Sequence, residues 1–257
     1  MELRPARETD IPGIRDVAAR SLAASYADVL DAEGRQQAVE AWYGTEESPD
    51  AFATELGDDR TVLVVAAEED EILGFAQGYL AGERPLVGQI EWLHVRPDRR
   101  EHGIGSQLLD AIESALHDAG ADRIESRVIE ANEAGRTFYE QRGYEPTSTR
   151  RVELADRRMA ELTLVADPAA ASIGEAPTAR RETADGETVV IAFDESERGD
   201  EGPFHPTYLD DDREQQYGWH CGNCDSLDVS VGSMDEFVCN ECGNRRRAMR
   251  WDAVYGG

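Results

Sequence analysis

The sequence contains no lysine: all 26 basic residues are arginines, set against 54 acidic residues, and the formal net charge is −28. The absence of lysine excludes a nucleotide-triphosphate loop, which needs a lysine to hold the β- and γ-phosphates. The charge balance disfavours nucleic-acid binding by the chain as a whole, because phosphate contacts need a basic face. An acidic surface without lysine is typical of adaptation to very high salt, where charge repulsion is screened. We therefore expect a cytoplasmic protein of an extreme halophile, with an ordinary acidic protein as the alternative.

Long apolar runs are also missing. No run approaches the ~18 residues that a membrane-crossing helix needs, and the start, Met1–Arg4, lacks the apolar core of a secretory signal. We therefore expect no membrane partner. Cysteines are few, four in all, and they lie between Cys221 and Cys242. Disulfides so localised cannot staple the larger part of the chain, so these cysteines belong to a separate small unit.

The stretch from Gln89 to Leu109 combines a strand, a basic turn, a glycine loop and a helix. Bulky residues alternate up to Val95, and Pro97 ends the strand. Gly103 and Gly105 follow, at the point where the strand turns into a helix. The apolar residues of that helix fall on one face, at Leu108, Leu109, Ile112, Ala115 and Leu116.

A helix start of this kind can bind a phosphate, because its first N–H groups have no partners within the helix and carry partial positive charge. Glycines let the phosphate approach the backbone closely, and Arg100 can add a full charge. The dinucleotide-binding fingerprint is excluded because Leu108 stands where its third glycine would be. A tight turn without a ligand is the alternative interpretation.

The segment from Arg100 to Gly105, preceded by Leu93–Pro97, resembles the acyl-CoA-binding motif Arg/Gln-x-x-Gly-x-Gly/Ala of the GCN5-related N-acetyltransferases (GNAT). A second pattern of that family is matched at Asn132, Ala134, Phe138-Tyr139 and Gly143-Tyr144. The resemblance covers residues 1–166. It implies an α/β (α+β) fold in which helices flank a mixed central sheet. Residues 167–187 lack apolar periodicity and form a predicted linker, and residues 188–257 form a second, smaller domain.

The resemblance implies acetyl-CoA as co-substrate and a primary amine as acceptor. The loop amides would hold the CoA pyrophosphate, and the preceding strand would pair with the pantetheine arm. The implied cofactor-binding residues are Leu93, His94, Val95, Arg100, Glu101, His102, Gly103, Ile104, Gly105, Ser106 and Asn132. Many family members have glycine at the position of Glu101, and an acidic side chain there opposes the pyrophosphate unless it points outward.

Two residues are candidates for catalysis. Tyr139 is implied to lie near the CoA sulfur, where it would hydrogen-bond the leaving thiolate. Glu91, on the strand before the loop, is our candidate for the base that takes a proton from the amine, and an ordinary sheet carboxylate is the alternative. The acceptor stays open between a small amine, an antibiotic, a protein N-terminus and a lysine side chain. The alternative function is a non-catalytic acyl-CoA sensor that binds nucleic acid or a protein through its C-terminal unit.

Two Cys-x-x-Cys pairs, Cys221/Cys224 and Cys239/Cys242, are separated by fourteen residues and would close a tetrahedral thiolate site. The segment resembles a zinc ribbon, a small β-rich domain. The Zn²⁺ would be structural, because four protein ligands leave no position for water. Disulfides, a rubredoxin-like iron site and a redox motif are the alternatives. We interpret His220 as a flanking strand residue.

The one dense basic cluster of the sequence follows the cysteines and consists of Arg245, Arg246, Arg247 and Arg250. With the aromatic residues Trp251 and Tyr255 nearby, it could bind a protein partner or nucleic acid. The alternative is a local role, in which the arginines offset the acidity of the chain or stabilise the anionic tetrathiolate.

Overall fold

The structure is a computed structural model, and the chain forms two compact units. The first takes in residues 1–80 and 87–168, and the second mainly residues 169–249. The structure describes residues 1–27, 30–43, 56–69, 71–81, 86–154, 157–166, 178–193, 195–197, 199–213, 215–231 and 237–246. In these ranges, no helix has both the length and the apolar character that crossing a membrane requires.

The first unit is built on a seven-stranded mixed sheet. Its strands are β1 (Glu2–Pro5), β2 (Thr61–Glu68), β3 (Glu71–Ala81), β4 (Val87–Val95), β5 (Arg123–Ile129), β6 (Glu145–Leu154) and β7 (Arg157–Val165). They lie in the order β1-β2-β3-β4-β5-β7-β6. The pair β4–β5 is parallel, whereas β1–β2, β2–β3, β5–β7 and β6–β7 are antiparallel. This mixed sheet confirms the predicted fold class.

Helices cover both faces of this sheet. They are α1 (Ile11–Ser25), α2 (Ala32–Tyr43), α3 (Ile104–Asp118) and α4 (Glu133–Gln141), with 3₁₀ turns at Glu8–Asp10 and Pro97–Arg99. Phe75 of β3 packs in the core cluster that contains the apolar face of α1. Its neighbour Gly74 points the other way, because a Cβ there would lie 2.9 Å from Leu108 of α3. Adjacent strand residues point to opposite faces, so α1 and α3 lie on opposite sides of the sheet.

The apolar stripe of α3 agrees with the sequence prediction. Four of its five predicted residues are fully buried, at Leu108, Leu109, Ile112 and Leu116. Burial of each such side chain contributes ~1.5–3 kcal/mol. This packing fixes the start of α3, and with it the glycine loop, against the end of β4.

The parallel strands β4 and β5 part before they end. Their pairing covers only Val87–Ile90 of β4 and Arg123–Ser126 of β5. Beyond that point β4 continues to Val95 and β5 to Ile129. An opening therefore lies between the carboxyl ends of the two strands, next to the start of α3.

The second unit has two small sheets. The strands β8 (Thr178–Glu182), β9 (Thr188–Ala192), β10 (Phe204–Tyr208) and β11 (Gln216–Cys221) form an antiparallel sheet in the order β11-β10-β9-β8. The strands β12 (Val229–Val231) and β13 (Phe237–Cys239) form a two-stranded sheet. This arrangement is β-rich, as predicted.

The structure differs from the predicted linker over residues 178–187. There β8 pairs with β9 through a hairpin in which Thr183 donates its N–H to the carbonyl of Glu187. The sequence hides this strand because β8 is at the sheet edge and most of its residues are exposed. Two of its residues form exposed ion pairs, Arg180 with Asp211 and Arg181 with Asp225. Residues 167–177 of the predicted linker lie outside the described residues.

Candidate functional site

The alternation of side chains along β4 slips by one residue at the opening. Gly88 faces α3, because a Cβ there would lie 3.1 Å from the Leu116 Cβ. His94 faces the other side, where its Nδ1 lies 2.9 Å from the Ser21 Oγ of α1. Strict alternation would put two even-numbered residues on one face. Trp92 stacks on His94, with ring centroids 4.8 Å apart, so a β-bulge lies between Gly88 and Trp92.

This slip lies where β4 and β5 part, and it sets the direction of the backbone groups beyond it. Arg96 donates its N–H to the Leu73 carbonyl of β3, at 2.9 Å. Backbone groups of successive strand residues point to alternate edges. The N–H groups of Leu93 and Val95 therefore point towards the opening, and that of His94 points towards β3. Of the three strand residues predicted to bind the cofactor, two direct their amides to the site.

The glycine loop at the start of α3 requires glycine at Gly103, whereas Gly105 lies close to α4. Gly103 has φ +77° and immediately precedes α3. A Cβ on Gly105 would lie 3.4 Å from the Phe138 ring of α4 and 3.8 Å from Leu93. Among the described residues, no side chain caps the first N–H groups of α3. The loop thus presents helix-start amides, from Ile104, Gly105 and Ser106, beside the end of β4.

Glu101 adopts the left-handed conformation, with φ 64°. This conformation costs a residue other than glycine about 1 kcal/mol. The positive φ gives a physical reason for the glycine that many GNAT proteins have at this position. The Glu101 side chain is exposed, as a carboxylate beside a pyrophosphate would have to be.

Arg100 directs its guanidinium towards α1. Its Nη2 donates to the hydroxyl oxygens of Ser21, at 3.1 Å, and Ser25, at 3.0 Å. Its Nε is 3.5 Å from the Val95 carbonyl oxygen. Burial lowers the pKa of Arg100 from its ordinary value. The expectation that this side chain faces a phosphate therefore does not match its position.

The exposed His102 ring is fixed by its own turn. Its Nδ1 lies 2.6 Å from the carbonyl oxygen of Arg100. Because a carbonyl only accepts hydrogen bonds, Nδ1 carries the proton. The other ring nitrogen of His102 is then the one that can meet a ligand.

Helix α4 brings the second predicted motif to the same place. Asn132 caps this helix: its Oδ1 accepts from the Gly135 N–H at 3.0 Å, and its Nδ2 donates to the Tyr26 hydroxyl at 3.1 Å. Asn132 therefore has a structural role in addition to its predicted contact with the cofactor. Tyr139 is 6% exposed and makes edge-to-face contacts with Phe138, at 5.3 Å, and Tyr144, at 5.1 Å.

Since Phe138 also lies against Gly105, the helix that carries Tyr139 is next to the phosphate loop. Tyr144 is buried and donates its hydroxyl to Glu113 of α3 at 2.7 Å, and burial together with Glu113 raises the pKa of Tyr144. Tyr144 is therefore a core residue. Glu91 is half-buried and lies on β4 within the slipped segment.

Residues 27–144 match the acetyltransferase (GNAT) family. A solved structure of the PaiA N-acetyltransferase from Thermoplasma acidophilum in complex with coenzyme A is similar, with 19% identity, a TM-score of 0.53 and coverage of 62% of this chain and 96% of that chain. The smu.2055 protein from Streptococcus mutans UA159 is also similar, with 15% identity, a TM-score of 0.50 and coverage of 64% and 98%. The first unit has the GNAT fold.

The first unit thus carries the two segments that resemble GNAT motifs on one opening. The strand end, the glycine loop and α4 meet where Leu93, Gly105 and Phe138 converge. Sequence reasoning found these three segments from their local patterns. It missed Ser21, Ser25 and Tyr26, which contact the motif residues from α1 and the residue after it. Their signals in the sequence are those of ordinary helix residues.

The second unit brings the four cysteines together. All four sulfurs lie within 4.8 Å of one another, with Cys221 and Cys242 3.7 Å apart and Cys224 and Cys239 3.5 Å apart. A tetrahedral zinc with bonds of about 2.3 Å needs sulfurs roughly 3.8 Å apart, whereas a disulfide needs about 2 Å. The cysteines are free, so the arrangement fits a metal and does not fit disulfides.

Hydrogen bonds to sulfur surround this cysteine centre. Asn244 is fully buried and donates through Nδ2 to the Cys221 Sγ at 3.4 Å and to the Gly202 carbonyl at 3.0 Å. Asn223 donates to the Cys242 Sγ at 3.4 Å. This bond and the Asn244 backbone N–H lower the pKa of Cys242 to about 6, whereas burial raises the pKa of Cys221. The hydrogen bonds to Cys242 therefore favour its thiolate form.

The two Cys-x-x-Cys turns end differently. Gly243 follows the second with φ +77°, and Asp225 follows the first with φ 63°. The Asp225 carboxylate accepts from Arg181 at 2.6 Å and contacts His220 Nε2 at 2.8 Å. His220 lies buried in β11 and is not part of the cysteine cluster, in agreement with its interpretation as a strand residue.

The predicted basic cluster is only partly available to a partner. The Arg246 guanidinium is 10% exposed, forms an ion pair with Glu197 at 3.3 Å and lies 4.7 Å from the centre of the Phe237 ring. The charge of Arg246 is thus used inside the unit, which agrees with the local role given as the alternative, and partner binding by Arg246 stays a prediction. Arg245 is exposed, and Arg247 and Arg250 lie outside the described residues. Residues 185–256 match a family of unknown function (DUF5816), so the zinc-ribbon assignment stays a prediction.

Proposed function

We propose that the GNAT unit transfers the acetyl group of acetyl-CoA to a primary amine. The observation that carries this proposal is the opening between β4 and β5, with the amides of Leu93 and Val95 on one side and the start of α3 at its end. The amides at the start of α3 would hold the pyrophosphate, and the strand amides would hold the pantetheine arm and the thioester. The similar protein from Thermoplasma acidophilum binds coenzyme A.

The amine must first lose a proton, since its pKa of ~10.4 leaves only about one molecule in a few thousand uncharged at neutral pH. Glu91 accepts this proton, directly or through a water molecule. The amine nitrogen then forms a bond to the thioester carbon, and the negative charge that develops on the carbonyl oxygen is stabilised by a strand amide. The carbon–sulfur bond breaks, and CoA leaves as a thiolate.

Tyr139 donates a hydrogen bond to the departing sulfur. A complete proton transfer from the phenol, with a pKa of ~10, to a thiolate whose acid has a pKa of ~8.5 is uphill by about 2 kcal/mol. The tyrosine therefore acts best as a hydrogen-bond donor while the charge develops. The nitrogen of the tetrahedral intermediate loses its second proton to water as the carbon–sulfur bond breaks. The thiolate takes its final proton from solvent or from the protons that the amine released.

The cysteine centre would hold one structural Zn²⁺ through Cys221, Cys224, Cys239 and Cys242. Four thiolates leave no open position for substrate, so the ion would stabilise the second unit without entering the reaction. This unit would then bind a partner or position the acceptor.

One observation favours the alternative of an acyl-CoA sensor without activity. Glu101 places a carboxylate in the loop that would hold the pyrophosphate. A protein that binds CoA weakly and releases it readily would suit sensing. Acetyl-CoA binding without turnover on any amine would support this alternative.

Isothermal titration of acetyl-CoA and CoA into the zinc-loaded protein in molar KCl tests the proposed function. We expect micromolar dissociation constants that rise at least tenfold in Gly105→Val, because the larger side chain collides with Phe138. Gly186→Ala, at φ +84° in the β8–β9 hairpin, is the matched control for a glycine change and should bind normally. A folded wild-type protein that binds neither ligand would refute the proposal.

With binding established, amine acceptors are screened by the release of CoA thiol. Small amines, aminoglycosides and peptides with a free N-terminus or a lysine cover the four open acceptor classes. A loss of turnover in Glu91→Gln would support the role of Glu91 as the base. Full activity of this variant would refute that role.

A further inference from the structure

A chain of polar groups crosses the otherwise apolar contact between α1 and β4. It runs from Ser25 through the Arg100 guanidinium to Ser21 and then to His94. The three contacts measure 3.0, 3.1 and 2.9 Å. Ser21 and Ser25 are four residues apart on α1, so both hydroxyls lie on one side of the helix and meet one guanidinium nitrogen. The chain thus joins the last turns of α1 to the first residue of the phosphate loop.

The Arg100 charge is held here by neutral oxygens. In the ranges that the structure describes, no carboxylate lies within ion-pair distance of this guanidinium, although the protein has 54 acidic residues. Burial of a charge is unfavourable unless hydrogen bonds satisfy it. To reach a phosphate, the side chain would have to give up both serines. That would leave the hydroxyl of Ser21, a residue only 4% exposed, without its charged partner.

The same end of α1 also contacts the second motif. Tyr26, the residue after α1, accepts a hydrogen bond from Asn132, and Asn132 caps α4. Arg100 and Asn132 thus join both motif segments to one short piece of chain, residues 21–26. A change in the Arg100 contacts should alter the position of the loop relative to this piece.

We propose that Arg100 is a positioning residue, which holds the phosphate loop to α1 through Ser21 and Ser25 and does not contact the phosphates. The pyrophosphate is then bound by backbone amides at the start of α3. This inference rests on the proposed function, because it assigns the means by which the CoA site keeps its shape. It also predicts that two serines outside both motifs control CoA affinity.

A double-mutant cycle on the full-length, zinc-loaded protein tests this. The variants are Arg100→Ala, the pair Ser21→Ala/Ser25→Ala, and all three changes together. The readouts are the dissociation constant of CoA by calorimetry and the melting temperature of each variant. The positioning role predicts about a tenfold rise in the dissociation constant for Arg100→Ala, a similar rise for the serine pair, and no further rise when all three are combined.

A direct phosphate contact predicts a different pattern. The serine pair would then bind CoA as tightly as wild type, or more tightly, because the guanidinium is released towards the phosphates. That result would overturn the proposal. A fall in melting temperature for the serine pair without any change in CoA affinity would overturn it as well, because the contact would then only stabilise the fold. Arg99→Ala is the charge-matched control in the same turn, and its CoA affinity should stay near that of wild type.

A conservative variant adds a further readout. Arg100→Gln removes the charge and keeps a neutral donor that can reach a serine. We expect it to bind CoA more tightly than Arg100→Ala, and equal affinities of the two would contradict a role in hydrogen bonding. Failure of the proposed function would look different, since wild-type protein would then not bind CoA at all. If wild type binds CoA, only the affinities of the variants decide whether Arg100 is a positioning residue.

Discussion

Replacement of Glu101 by glycine separates two effects that this residue combines. Its φ of 64° costs about 1 kcal/mol relative to glycine. Glycine also lowers the free energy of unfolding by roughly 0.5–1 kcal/mol, because it is more flexible in the unfolded chain. We therefore expect the free energy of unfolding of Glu101→Gly to stay within about 1 kcal/mol of wild type. Its effect on stability should be small, and its effect on the ligand should come from charge.

The charge effect follows from Coulomb's law and from salt. A carboxylate about 6 Å from one phosphate charge in water opposes binding by roughly 0.7 kcal/mol, and two such charges give about tenfold in the dissociation constant. Screening removes most of this repulsion between the carboxylate and the phosphates in molar KCl, where the Debye length is about 3 Å. Glu101→Gly should therefore bind CoA several-fold more tightly than wild type at the lowest KCl concentration at which both stay folded. The two proteins should bind alike in 3 M KCl.

Calorimetric titration of CoA at a series of KCl concentrations measures this difference. Glu101→Gln is the matched variant, because it removes the charge and keeps the positive φ. If the charge matters, Glu101→Gln should follow Glu101→Gly in affinity, while its stability stays closer to that of wild type. A gain in affinity that is independent of salt, or one seen only with glycine, would refute the electrostatic reasoning and leave loop geometry as the cause.

Further predictions concern the reaction, the metal, acid stability and salt. Tyr139→Phe should lower kcat by about ten- to a hundredfold and leave KM for acetyl-CoA near its wild-type value, because the lost hydrogen bond to a developing charge is worth about 1.5–3 kcal/mol; unchanged turnover would remove Tyr139 from the mechanism. A strong chelator should release one zinc per chain, detected with a metal indicator, and unfold the second unit, as seen by circular dichroism, since structural zinc contributes on the order of 10 kcal/mol. Arg4 lowers the pKa of Asp10, so this pair contributes stability above the unfolded-state pKa that is lost as the pH falls through the lowered folded-state pKa. Asp10→Asn should therefore cost about 2 kcal/mol at pH 7 and flatten the acid limb of a denaturation profile. Dilution of KCl from molar to 0.1 M should lower the melting temperature, because a net charge of −28 is then less screened; a melting temperature independent of KCl would argue against a halophilic surface.

The parts of the first unit that the sequence predicts are those with local causes. The glycine loop, the stripe of α3 and the apolar β2 each follow from residues that are neighbours in the chain, so their periodicity is enough. The contacts of Arg100 are not set by residues that are its neighbours in the chain. Its serine partners are 79 and 75 residues away, and only the packing of α1 on the sheet brings them together.

The bulge in β4 escaped prediction for a different reason. Side chains from Ile90 to Val95 are all bulky, so a one-residue slip leaves the pattern of hydrophobic and polar residues nearly unchanged. It becomes visible only when Gly88 is seen against α3 and His94 against α1. Edge strand β8 was hidden because most of its residues are exposed and give no apolar pattern, and its ion pairs are with aspartates distant in the chain.

Acidic residues at Glu69, Glu101 and Asp225 are in the left-handed conformation, where glycine would be free of strain, and the last two have different consequences. At Asp225 the carboxylate offsets the strain, because it contacts Arg181 and His220 and so ties the first cysteine turn to β8 and β11. At Glu101, by contrast, no partner within the described part of the chain holds the carboxylate. The cost at Asp225 is therefore explained by the fold, whereas the cost at Glu101 is not. Glu101 strains its own loop and is exposed, so its effect is either on the ligand or on the surface charge. The salt series with the glycine and glutamine variants separates these two.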